Sequence, residues 1–126
     1  MIKVNAVSKK YGNTQAVGQI SFEVYEGENL VLLGTSGCGK TTTLKMINRL
    51  ILPDSGNIII NGKDIATEKP EILRRNIGYV LQNTGLFPHY TVGENISVVP
   101  KLLGWKNEEI VSRSYEIIEK LHLSEQ

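Results

Sequence analysis

Between the apolar run Leu30-Val31-Leu32-Leu33 and a stretch of helical spacing lies Gly34-Thr35-Ser36-Gly37-Cys38-Gly39-Lys40-Thr41. This octet satisfies G-x-x-x-x-G-K-[ST], and strand, loop and helix in that order are the setting in which the spacing makes a phosphate cradle. Glycines at 34, 37 and 39 let the backbone wrap closely on an anion with its N–H groups turned inward, and the first turn of the helix adds its positive dipole end. Residues 34–42, including Thr35, Ser36, Cys38 and Thr42, are therefore assigned to the phosphates of a nucleotide. Lys40 would meet the outer phosphates as a point charge, and the Thr41 hydroxyl would ligate a Mg2+ ion on the same oxygens.

The fold class this loop demands is α/β. Four consecutive apolar residues at 30–33 read as a strand buried on both faces, as in a parallel sheet, and Ile77 to Leu81 suits a second such strand. Ile2 to Val7 and Ile20 to Val24 read as further strands set off by Tyr11-Gly12-Asn13 and Glu26-Gly27-Glu28. Asn61-Gly62 between Asn57–Ile60 and Lys63–Ile65 is a two-residue hairpin signal and points to a smaller antiparallel sheet. Helices are predicted over 40–50, with Leu44, Ile47 and Ile51 as its apolar stripe, and over 70–75, 92–103 and 107–121.

Composition narrows the partners. With 14 basic and 13 acidic residues in 126, the net charge is +1, so nothing directs the chain to nucleic acid. The single cysteine, Cys38, excludes an internal disulfide framework and fits a reducing compartment. No apolar run approaches the ~20 residues that cross a bilayer, so a cytoplasmic protein that reaches a membrane through a partner is expected. Guanine recognition is rejected, because the nearest match to its Asn-Lys-x-Asp motif is Asn61-Gly62-Lys63-Asp64, with the lysine one place late and inside a hairpin. His89 has no second ligand spaced to join it in a metal site.

The strands of residues 1–33, the phosphate loop and the remaining residues to 126 resemble the nucleotide-binding subunit of ABC transporters, so the resemblance spans the whole chain. It implies a P-loop NTPase core with an N-terminal antiparallel β subdomain in residues 1–83, and the start of a helical subdomain in residues 84–126. It also implies ATP and Mg2+ as ligands. Tyr11, in Lys10-Tyr11-Gly12-Asn13, matches the aromatic residue that stacks on adenine, with Val17 beside it. Gln82, in Ile77-Gly78-Tyr79-Val80-Leu81-Gln82, matches the glutamine that ligates Mg2+ or positions the attacking water. The stretch Gly85 to Ile96 looks like the lead into the helical subdomain that docks on the membrane-spanning partner, with Phe87 and Tyr90 as contact candidates. Lys45 to Ile51 and Asn95 to Trp105 look most like importers of glycine betaine, carnitine or choline.

The same resemblance implies features that the chain does not contain: a Walker B strand ending in Asp, the glutamate after it, a Leu-Ser-Gly-Gly-Gln signature and a switch histidine. Asp54 follows Leu50-Ile51-Leu52-Pro53, too soon after the loop helix, and Leu123-Ser124-Glu125-Gln126 begins like the signature without its glycines. The expectations are an N-terminal half of such a subunit, with Lys40 and Gln82 as its catalytic residues, that binds ATP and hydrolyses it poorly alone. In full length it would pair with a second such subunit and with permease subunits on the inner face of the membrane, and indirectly with a solute-binding protein. Without a Walker B strand beside it, the edge of Leu30 to Leu33 would invite self-association. The alternative is a non-catalytic nucleotide-binding or regulatory module.

Overall fold

The structure, a computed structural model, describes residues 1–82 and 85–123. The expected subdomain boundary at 83/84 and the signature-like end at Ser124–Gln126 lie outside the described residues. The chain forms two compact units, Met1–Tyr79 and Val80–Gln126.

The first unit is built on a four-stranded antiparallel sheet of order β2-β1-β3-β4, from β1 (Ile2–Tyr11), β2 (Thr14–Val24), β3 (Ser55–Ile60) and β4 (Lys63–Asp64). β1 is the centre, pairing with β2 on one side and β3 on the other. Val4 and Val7 are both buried although three residues apart, which strict alternation forbids. A bulge reconciles them: the register of β1 shifts between Val4 and Val7, and Ala6 sits at φ 46 with its N–H donated to the Ser21 hydroxyl at 2.8 Å. Asn61 and Gly62, at φ 50 and 80, make the β3–β4 turn, the pair of positive φ values that matches the twist of a tight hairpin.

Helix α1 (Lys40–Ile47) and helix α2 (Pro70–Arg75) close the core with Met46 and Leu73, which join Val4, Val7, Val17, Ile58 and Ile65. Of the expected apolar stripe, Ile47 and Ile51 pack against the core, but Leu44 is exposed and Thr43 and Met46 are the buried residues of α1. The helix also stops earlier than 50. Arg49 takes a left-handed conformation at φ 51 and the Leu50 N–H returns to the Lys45 carbonyl at 2.8 Å, a C-terminal closure usually signalled by glycine.

Two expected strands are absent. Leu30–Leu33 and Ile77–Leu81 form no ladder. Leu33 is 88% exposed and Val80 93%. A strand exists through hydrogen bonds to a neighbour, and among the described residues neither run has one. The edge expected at Leu30–Leu33 is therefore not a strand edge but an apolar segment outside any ladder.

The second unit holds α3 (Val92–Leu102) and α4 (Asn107–Lys120), packed on each other. α3 opens on a capping box: the Glu94 N–H donates to the Thr91 hydroxyl, and the Thr91 N–H donates to the Glu94 carboxylate at 2.7 Å. Both helices line an apolar groove of about 550 Å3 that includes Ile96, Ile110 and Tyr115. Among the described residues no helix is long and apolar enough to cross a membrane.

Gly56, at φ 77, lies against the bulge: a Cβ there would come within 2.3 Å of the Asn5 carbonyl oxygen and 2.5 Å of that of Ala6. Gly62 has the same sign of φ and open space around it. Gly62→Ala should lower unfolding free energy by about 1–2 kcal/mol from the left-handed backbone alone. Gly56→Ala should cost roughly 1–3 kcal/mol more from overpacking. Urea midpoints test the difference, and equal losses would contradict the bulge packing. In α4, bonds from Lys120 and Arg113 hold the Glu116 carboxyl down to about 2, from an ordinary 4.5. Its stabilisation is present above pH 4.5 and lost as pH falls toward 2. Circular dichroism should show helix loss in that window, with a smaller pH dependence in Glu116→Gln.

Candidate functional site

The loop between Leu33 and α1 carries the sequence-predicted phosphate cradle, and its glycines are individually required. Gly34, Gly37 and Gly39 stand at φ 155, 80 and 98, values open to glycine and costly for other residues. Gly39 is the tightest: a Cβ there would lie 2.3 Å from the Ala16 carbonyl oxygen and 3.0 Å from Val17 Cγ2. The loop is thus seated directly on the first half of β2. At Gly34 a Cβ would meet Cys38 Sγ at 2.5 Å, a contact that the Cys38 side chain would have to turn aside to relieve.

Gly39 caps α1 without a side-chain hydrogen bond. The first N–H groups of a helix have no intrahelical acceptor, and here Gly39 holds them toward the loop. One turn further, the Thr43 N–H and hydroxyl both donate to the Gly39 carbonyl, at 2.8 and 3.0 Å. Thr43 is buried, which makes it a residue that supports the cradle from below; the motif spacing does not disclose it.

Lys40 Nζ donates to the Gly34 carbonyl at 2.7 Å and the Thr35 carbonyl at 2.8 Å, and stands 3.4 Å from Cys38 Sγ. One ammonium thus spans the start and the end of the loop. The donor set suits a polyphosphate: an ammonium with three N–H groups, a helix start, backbone amides on glycine hinges and the hydroxyls of Thr35, Ser36, Thr41 and Thr42. The Thr41 and Ser36 side chains belong to exposed residues, as does Cys38, while Thr42 is half-buried.

Tyr11 ends β1 and pairs with Thr14 at the tip of the β1–β2 hairpin. Ala16 and Val17, whose atoms touch Gly39, lie two and three residues along the same strand, at ~3.3 Å per residue. The hairpin tip therefore flanks the phosphate loop, with the Tyr11 ring 51% exposed. Val17 is placed differently from a side chain laid beside a ring on the surface: it is 5% exposed, in the core. Gln82 is exposed and belongs to the second unit.

Asp54 has a structural task. Its carboxylate accepts from Lys9 Nζ and from the Lys10 N–H, both at 2.7 Å, and these bonds, that of Lys9 foremost, hold its carboxyl below the usual range. Asp64, in the sequence near-match to a guanine motif, accepts the Ala66 N–H at 2.8 Å as part of the turn after β4. Among the described residues no cluster of His, Cys, Asp and Glu is placed to hold a metal.

In the second unit Phe87 and Tyr90 stack with ring centroids 5.1 Å apart, both half-exposed. Asn95 fixes their turn. Its amide nitrogen donates to the carbonyls of Phe87, Tyr90 and Thr91, and its oxygen accepts the Phe87 N–H at 2.8 Å. A lone asparagine on a helix gives no sequence signal of such a clamp.

The family model described as ABC transporter matches residues 17–126. The chain is 52% identical over 119 residues to a glycine betaine/carnitine/choline transport ATP-binding protein of Bacillus subtilis, covering 94% of this chain and 31% of that protein. It is 54% identical over 117 residues to an osmoprotectant import ATP-binding protein of Salmonella typhimurium, covering 93% of this chain and 31% of the relative. The chain thus spans about a third of the length of these curated relatives. Among solved structures, a dimeric bacterial ABC transporter cassette superposes with a TM-score of 0.86 at 31% identity, over 99% of this chain and 59% of the cassette. A cassette in a post-hydrolysis state bound to ADP and Pi gives 0.85 at 30% identity, over 99% and 59%. The fold is that of part of an ABC ATPase cassette, and the chain belongs to the ABC transporter family, aligned with the N-terminal part of osmoprotectant-importer ATPases.

Proposed function

We propose that the chain binds ATP through residues 34–42 and belongs to a subunit whose ATP hydrolysis drives import of a small solute of the quaternary ammonium osmoprotectant class. The observation that carries the proposal is the glycine-hinged loop seated on β2 at Gly39 and bridged by Lys40. Support for the solute class comes from the names of the relatives at about half identity.

Each residue has a separate task in this reading. Tyr11 offers an exposed aromatic face to adenine beside the loop. Backbone N–H groups of 34–42 and the Lys40 ammonium hold the phosphates, each charge-assisted bond contributing ~1.5–3 kcal/mol. Lys40 exchanges two neutral carbonyl acceptors for anionic oxygens, which form shorter and stronger bonds. Val17 acts from the core by fixing Gly39. The Thr41 hydroxyl of the first unit and the Gln82 side chain of the second are each of the type that would ligate Mg2+, which would neutralise phosphate charge when bound. The chain has Lys40 and Gln82 for catalysis but no Walker B aspartate or following glutamate, so binding without efficient turnover is proposed for it alone.

For the full-length subunit the proposal includes a second nucleotide-binding subunit, permease subunits and a position on the inner face of the membrane. A solute-binding protein would act through the permease. The exposed Phe87–Tyr90 stack, whose turn Asn95 fixes, would be part of the permease-facing surface.

Cys38 is exposed within the cradle and reports on occupancy. MgATP should slow maleimide labelling of Cys38; equal rates with and without nucleotide would overturn the site. Gly39→Ala forces a Cβ to within 2.3 Å of the Ala16 oxygen, and the displaced loop should bind MgATP roughly tenfold or more weakly, given ~1–3 kcal/mol of overpacking. Protection of Cys38 at unchanged MgATP concentrations in Gly39→Ala would contradict the seating of the loop.

A further inference from the structure

Lys9 lies over the ring of Tyr11, its ammonium 5.8 Å from the ring centroid, within the range of a cation–π contact. The same ammonium donates to Asp54 Oδ1 at 2.7 Å. Asp54 is itself fixed: its Oδ2 accepts the Lys10 N–H at 2.7 Å and its own N–H donates to the Ser8 carbonyl at 2.9 Å. The segment before β3 is thus bonded to three consecutive residues at the end of β1, and the Lys9 side chain keeps only 17% of its surface exposed. A lysine on a strand normally samples many rotamers. This one is held at its charged end against an aromatic face, while the ring remains half-exposed.

We propose that Lys9 and Asp54 are positioning residues for the nucleotide base: Asp54 tethers the Lys9 ammonium on one face of Tyr11, and this keeps the opposite face of the ring presented for stacking. The inference rests on the reading of Tyr11 as the adenine platform. A cation on one face draws the π density toward itself and lessens its repulsion toward a base stacked on the other. Neither Lys9 nor Asp54 belongs to the phosphate loop of residues 34–42. Their effect falls on the base alone.

The ratio of affinities for MgATP and for magnesium tripolyphosphate, measured by calorimetry on the same samples, isolates that effect. Lys9→Met keeps the apolar stem and removes the charge; it should weaken MgATP about two- to fivefold, the scale of an exposed cation–π contact, and leave tripolyphosphate unchanged. Asp54→Asn should shift the ratio in the same direction, and Lys9→Arg should restore it to within about twofold. Lys40→Ala should weaken both ligands together, which separates the phosphate site from the base site. An unchanged ratio in Lys9→Met, or a parallel loss of both ligands, would overturn the proposal while Tyr11→Ala still lowers the ratio. A Tyr11→Ala chain with undiminished preference for ATP would overturn the stacking reading and this proposal with it.

Discussion

The site depends on one close approach, that of the Gly39 backbone to the Ala16 carbonyl and the Val17 side chain. No side chain fits in that gap, so the residue before the lysine must be glycine, and the loop acquires a fixed seat on the sheet. The seat in turn depends on β1, whose bulge at Ala6 buries both Val4 and Val7 and sets β2 and β3 on either side. Met46 of α1 closes the same core. A glycine-rich loop that would otherwise sample many conformations is thus held between a strand beneath it and a helix after it, with Lys40 bonded across its mouth.

The elements legible in the sequence are those specified by neighbours close along the chain. Asn61-Gly62 defines its hairpin through two positive φ values, Thr91 and Glu94 define the start of α3 through a reciprocal cap, and the P-loop spacing defines both a turn and a helix start. The runs at 30–33 and 77–81 carry an equally strong apolar signal, yet they are not strands here. Their pattern specifies burial on both faces of a sheet, which requires strands on each side, and no described residues supply them. Ile47 of α1 and Ile51 after it pack on the core as their spacing specifies, while Leu44 is exposed and Thr43 and Met46 are the buried residues of the helix.

Within the candidate site the direct contacts are legible and the supports are not. Residue types and spacing disclose Lys40 and the glycines. The buried Thr43 bonded to Gly39, the Asn95 clamp on the Phe87–Tyr90 turn and the Asp54 tether on β1 join residues that are far apart in sequence or ordinary in type. Asp54 also shows how a charge after an apolar run acquires fixed partners: its oxygens accept from Lys9 Nζ and from the Lys10 N–H. Membership of the ABC transporter family accounts for the combination of an antiparallel hairpin sheet with a phosphate loop, and the physical reason for that combination is that the sheet provides the loop with its seat.

The central proposal is that the loop of residues 34–42, seated on β2 and bridged by Lys40, binds nucleotide, and that these residues alone do not complete hydrolysis. Measuring MgATP affinity and phosphate release on the same preparations of the chain and of Lys40→Ala tests it most directly. The expected result is saturable binding that Lys40→Ala weakens by roughly tenfold or more, as befits loss of about 1.5–3 kcal/mol of charge-assisted bonding, with no phosphate release above background from either. Lys40-dependent phosphate release at ordinary enzymatic rates, or binding indifferent to Lys40, would contradict it.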